Sequence, residues 1–336
     1  MCVLLALLVT AAPAVEVTRP LEYHGWRDAW RLSNSVVEVV LVPSIGRVMG
    51  FGFVGGANVL WANPKFVGQV RASDFPDWFN AGGDKVWPAE QAQWFGILGR
   101  WWPPDRTWDG GAWSAERLPD GAVRLTSAVS PDYGLRAERT FRLSPTQASL
   151  TIAQRYVKVA GPPRRCSVWN VSQTVSPDAA FLPLSPLSEL VGGFHRFDRE
   201  WPNHTVHGGV LEITRLGDAS TKYGVDHGAW VAWVKGGLLF SEHCAPRPGA
   251  YPDRGCSAEV YTEQDTNGPM VELELLSPQQ TLAVGQSMDW DIEWRLAPFD
   301  AVLRGAERAA AVWRRMGPAW FAQPRTATQT RRSSLY

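Results

Sequence analysis

Apolar and polar residues alternate with a period of two along most of this chain. In Asp289-Trp290-Asp291-Ile292-Glu293-Trp294-Arg295-Leu296 a charged and an apolar residue change places at every step, the signature of a strand buried on one face. Other apolar-rich runs predict strands over 29–32, 36–42, 47–53, 122–130, 135–143, 148–158, 167–175, 210–215, 229–235, 238–241, 258–262 and 270–276. Turn residues such as Ser33-Asn34-Ser35, Pro119-Asp120-Gly121 and Gly236-Gly237 separate them. The period changes to that of a helix only over 299–316. There Ala301, Val302, Gly305, Ala309, Val312, Trp313 and Met316 form an apolar stripe, Arg304, Glu307, Arg308, Arg314 and Arg315 face water, and Gly317-Pro318 stops the helix. Many strands with few intervening helices predict an all-β fold of antiparallel sheets packed as a large sandwich, with one C-terminal helix. No fixed-period repeat points to a propeller or solenoid.

One segment breaks the alternation. From Trp61 to Trp113 the chain is rich in Trp, Gly, Pro, Asp and Asn, and eight of its 18 tryptophans lie there. A stretch this long without regular structure is commonly functional, so it is expected to line one face of the sandwich. Charge narrows the partners: 33 basic and 33 acidic residues leave no cation excess to neutralise nucleic acid. The row Asp289, Asp291, Glu293 reads as a solvated sheet face rather than a cation site.

The apolar run at 3–9 followed by Ala12-x-Ala14 fits a signal peptide over 1–14, although a positive n-region is missing. It is too short to span a bilayer. This predicts export to the periplasm or beyond, a sandwich over 15–299, a helical segment over 300–322 and a disordered tail over 323–336. Cys244 and Cys256 flank a Pro/Gly-rich loop, leaving a disulfide and two free thiols both open, while Cys166 is expected to be a single buried thiol. No Cys/His spacing predicts a metal site.

Several segments resemble the galactose mutarotase-like superfamily: Leu32-Ser33-Asn34, Ile45-Gly46-Arg47-Val48, Gly55-Gly56-Ala57-Asn58, the paired runs at 134–143 and 150–156, and the ending at 271–296. Within it, Asn80-Ala81-Gly82-Gly83-Asp84-Lys85-Val86-Trp87-Pro88-Ala89 is similar to the signature of an uncharacterised bacterial branch. The resemblance covers roughly residues 20–300 and implies a β-supersandwich that binds sugars on a concave face without a cofactor. Members that interconvert anomers use a carboxylate late in the domain as base and a histidine as acid.

The matching carboxylates are Glu272 and Glu274, which a period of two places on one face opposite Leu273 and Leu275. Burial in so apolar a strand would raise their pKa, as a general base requires. The histidine has no match: that strand reads Trp169-Asn170-Val171-Ser172-Gln173-Thr174. Gln173 hydrogen-bonds but does not supply a proton. His195, His204 and His207 are the replacement acids or ligand contacts, set against the commoner role of a loop histidine as a surface or capping group. With only five lysines against 28 arginines, Lys85 and Lys222 stand out as grips for a sugar hydroxyl or a uronate carboxylate. Trp87, Trp101 and Trp102, with Asn80, Asp84, Gln91 and Asn170, complete a candidate sugar site of aromatic platform and polar edge. Two or three of the eight clustered tryptophans are expected to touch ligand, the rest to pack the loop. Three functions follow: an aldose 1-epimerase-like isomerase, a non-catalytic sugar-binding protein, or a hydrolase or lyase using a pair such as Asp84 with Glu272. The sugar's identity and the oligomeric state are not encoded in any of these signals.

Overall fold

The alternating strands pair into two antiparallel sheets, of 11 and 10 strands among the described residues. The computed structural model describes residues 15–198, 202–245 and 247–317. The expected leader at 1–14 and tail at 323–336 lie outside them. Strand Ser287–Pro298 has its alternation in the expected sense: Trp290, Ile292, Trp294 and Leu296 are buried, whereas Asp289, Asp291, Glu293 and Arg295 look outward. Glu293 and Arg295 form an ion pair there, and no cluster among the described residues could hold a metal. Phe51 of the 11-stranded sheet meets Phe240 and Trp294 of the other, with ring centroids 5.7 and 5.3 Å apart.

The irregular segment contains a strand that alternation did not reveal. Asp84–Ala89 runs inside the 11-stranded sheet between strands Arg47–Phe53 and Arg164–Val175. All six of its residues are buried, and a strand covered on both faces need not alternate. Its charged members are accommodated by pairing. Asp84 faces the second sheet, where Arg139 donates to it at 2.5 Å and to Asn170 at 3.0 Å, while Ser172 donates to its other oxygen at 3.0 Å. Glu242 joins through Asn170 at 3.3 Å, and burial together with the nearby Asp84 holds its carboxyl well above the usual range.

One open alternative is decided and two expectations are corrected. Cys244 and Cys256 are both free and buried, because strand Leu238–Cys244 lies in the 10-stranded sheet whereas Cys256 packs over Gly224 of the other. The helix spans Gly305–Met316. Residues 299–304 do not join it, since Asp300 caps a turn by accepting from the Val302 amide at 3.0 Å, and Val302 is exposed. Arg308 does not face water: it is buried and donates to Glu212, which His207 also meets at 3.1 Å.

Replacing Arg139 with Met should cost about 3–5 kcal/mol of unfolding free energy, because a buried carboxylate then loses its counter-charge. Urea denaturation measures this; an unchanged midpoint would show that the Asp84–Arg139 pair does not hold the sheets together.

Candidate functional site

Five neighbouring strands of the 11-stranded sheet build the site: Asp84–Ala89, Arg164–Val175, Met270–Leu276, Ala258–Thr262 and Thr221–Val225. Asp84, Asn170 and Ser172 point at the other sheet, so strand alternation turns their neighbours Lys85, Trp87, Trp169 and Gln173 the opposite way. Register brings the rows together. Gln173 lies opposite Glu272, which lies opposite Tyr261; Glu274 lies opposite Glu259; and Lys222 lies opposite Tyr261.

The result is a row of ionisable groups, buried except for the half-buried Lys222. Lys85 Nζ is 3.4 Å from Glu272 Oε1, which also accepts from Gln173 Nε2 at 2.8 Å. Lys222 Nζ bridges Glu259 at 2.6 Å and Glu274 at 3.0 Å, and Trp169 Nε1 donates to Glu274 at 2.7 Å. Desolvation dominates the first pair: it lowers Lys85 to about 8 against the pull of Glu272, and raises Glu272 against that of Lys85. For Lys222 burial acts downward, but Glu259 and Glu274 outweigh it and hold the ammonium well above its ordinary value. Burial also pushes Glu259 well up. Each ammonium additionally lies over an indole, Lys85 at 4.7 Å from Trp87 and Lys222 at 4.8 Å from Trp169.

Over this row opens a cavity of about 1000 Å³ walled by Trp61, Trp78, Trp87, Trp102 and Trp169. The walls are held by hydrogen bonds. Trp78 and Trp87 both donate to Asp109, at 2.6 and 3.1 Å, and Asp109 is paired with the buried Arg47 at 2.6 Å. Trp61 is placed by the close approach of Gly82, whose φ is +90° and where a Cβ would come within 2.2 Å of the Trp61 carbonyl oxygen. Gly83, with φ +71°, leaves no more room beside the Val48 carbonyl. The paired glycines before Asp84 thus let the aromatic segment lie against the sheet.

Of the candidate residues, Asn80, Trp87, Gln91, Trp102, Lys222, Glu272 and Glu274 line the cavity, and Lys85 and Gln173 hold Glu272 from beside it. Asp84 and Asn170 do not belong to the site; they serve the buried network between the sheets, which also removes Asp84 and Glu272 as a hydrolytic pair. Trp101 is exposed and stacks on Phe95 at 5.3 Å, outside the cavity. None of the three candidate histidines lines it either. His195 packs against Phe197, His204 meets the Tyr223 hydroxyl at 3.0 Å, and His207 meets Glu212. Both candidate lysines are engaged by carboxylates. Four of the eight clustered tryptophans, Trp61, Trp78, Trp87 and Trp102, line the cavity. Sequence reading missed Trp61, Trp78, Trp169, Glu259, Tyr261 and Glu263. A period of two would have placed Glu259 with Tyr261, and Trp169 with Gln173, had the order of strands been known.

No protein-family model matches the chain, and no curated protein matches it in sequence. Solved structures do match in fold. A galactose mutarotase-like protein from Lactobacillus casei ATCC 334 is similar with a TM-score of 0.54 at 9% identity, over 80% of this chain and 100% of that one. A candidate aldose 1-epimerase from Escherichia coli K12 gives 0.53 at 14%, over 81% and 99%. Another from Klebsiella pneumoniae subsp. pneumoniae MGH 78578 gives 0.55 at 13%, over 90% and 86%. The chain therefore has the galactose mutarotase-like fold, and at such identities the likeness is one of fold alone.

Raising the pH through about 8 should discharge Lys85 and remove a cation from the face of Trp87. Tryptophan emission is expected to titrate with a midpoint in that region, and the transition should vanish in Lys85→Met. The same transition in the variant would assign it to another group.

Proposed function

We propose that the chain is a carbohydrate-binding protein whose cavity takes the ring of a sugar that carries no carboxylate. One observation carries this reading: five indoles surround a floor of fixed carboxylate, amide and ammonium groups. The C–H faces of a pyranose lie flat on aromatic rings, while its hydroxyls need polar partners at the edge. Such a sugar desolvates few groups that the site cannot satisfy. A uronate would set a further negative charge beside Glu272 and Glu274, whose lysines are taken, and like charges at that range repel strongly in a poorly solvated site.

A second reading, aldose 1-epimerase-like exchange of anomers, is favoured by Glu272. Its carboxylate lines the cavity and is held by Gln173 and Lys85. Its raised pKa suits removal of a proton from the anomeric hydroxyl. Protonation of the ring oxygen would fall to Lys222 on the cavity floor. An ammonium held so firmly by two carboxylates gives a hydrogen bond readily and its proton poorly, so binding ranks ahead of isomerisation.

Titration with neutral hexoses should give a saturable change in tryptophan emission, and titration with uronates none; silence with every sugar would refute the site. Polarimetry on one pure anomer then separates the readings, since only an isomerase speeds the change in rotation. If it does, Glu272→Gln should slow it by about 100-fold or more. The raised pKa of Glu272 means that the base is lost by protonation as pH falls through a value above the ordinary ~4.3. The acid limb of the rate should accordingly lie above that value, and a limb at or below it would exclude Glu272 as the base.

A further inference from the structure

The ionic row on the cavity floor is unbalanced. Glu259, Glu272 and Glu274 share one sheet face with only two ammonium groups, Lys85 and Lys222. Asp253 adds a further negative group within electrostatic reach of Lys222 and is itself buried enough for its carboxyl to be raised. Burial makes an uncompensated carboxylate costly; a proton on Glu259, whose carboxyl is pushed well up, relieves part of the excess and a cation would relieve it as well. Acceptors are also left over in the row, Gln173 Oε1 and Glu259 Oε1 among them. Glu274 is 1% exposed and lines the cavity; its Oε2 accepts from Trp169 and pairs with Lys222, but its Oε1 is buried without a hydrogen-bond partner. The walls favour a cation as well. Asp77 and Glu263 add negative charge to the lining, and the faces of indoles attract ammonium groups. Lys65 is the opposing charge in the lining, on an exposed residue of the aromatic segment.

We propose that the ligand is an amino sugar, its ammonium donating to Glu274 Oε1 and supplying the third positive charge of the row while its ring lies among the indoles. This deepens the carbohydrate-binding reading and rests on it. The site already shows what such a group would meet: Lys222 places an ammonium 4.8 Å from the Trp169 ring and 3.0 Å from the other oxygen of the same carboxylate. A ligand ammonium would repeat this arrangement at the free oxygen.

Calorimetry or tryptophan emission with glucosamine, galactosamine and mannosamine tests this, each set against its N-acetyl form and its parent hexose at a pH that keeps the amine protonated. The N-acetyl form keeps the ring and removes the charge. At least one amino hexose should bind about tenfold tighter than both counterparts, the scale of one charge-assisted hydrogen bond. In Glu274→Gln that ratio should fall towards one. Parent hexoses binding as well as their amino forms would overturn the amino-sugar assignment while leaving the carbohydrate site standing. A preference that survives Glu274→Gln would overturn the placement of the ammonium. If no sugar of any kind binds, both this inference and the reading beneath it fail. Should Glu274→Gln not fold, the comparison of the three ligand forms on the unaltered protein still decides the matter.

Discussion

Four buried ionisable side chains and the half-buried Lys222 on one face of a β-sheet must neutralise one another, and much of this protein is arranged around that requirement. Taking a carboxylate or ammonium out of water costs several kcal/mol unless a partner and further hydrogen bonds replace the lost solvent. Lys85 with Glu272, and Lys222 with Glu259 and Glu274, meet that condition only because five strands run in fixed register: Asp84–Ala89, Arg164–Val175, Met270–Leu276, Ala258–Thr262 and Thr221–Val225. A slip of one residue would turn the row into the apolar core between the sheets and expose Val271, Leu273 and Leu275 instead. Ion pairing and register therefore support each other.

The same strands carry a second polar system on their other face, where Asp84, Arg139, Asn170, Ser172 and Glu242 are joined by hydrogen bonds. The sheet is thus polar on both sides at its centre and apolar around it, as in the contacts of Phe51 with Phe240 and Trp294. The aromatic segment is fixed over this platform by Gly82, Gly83 and the buried Arg47–Asp109 pair. Rigid walls lose little freedom when a ligand arrives, which favours binding. The fold by itself does not choose a chemistry, since one scaffold serves many functions; the row and the indoles make that choice.

Alternation made much of this legible. Strand Ser287–Pro298 and the pairing of Glu272 with Glu274 on one face follow from a period of two, because each has one apolar side. Strand Asp84–Ala89 escaped notice because both its faces are buried and its charges are met by partners far away in sequence, Arg139 for Asp84 and Glu272 for Lys85. For the same reason Asp84 and Asn170 were placed in the site: their types suit a sugar edge, and only the phase of the strand shows that they point elsewhere. Lys222 was singled out by its rarity, yet its two carboxylate partners required the strand order of the sheet. The histidines carried no phase information at all, since each lies on a short strand set by local contacts such as His204 with Tyr223.

The central claim is that the outward face of the five-strand row is where a sugar ring is held. A crystal structure of the protein with its tightest-binding hexose or amino hexose addresses this directly. The account predicts electron density for one ring against at least one of Trp61, Trp78, Trp87, Trp102 and Trp169, with a polar atom in hydrogen-bond range of Glu272 or Glu274. A sugar bound anywhere else, with the cavity holding only water, would contradict it.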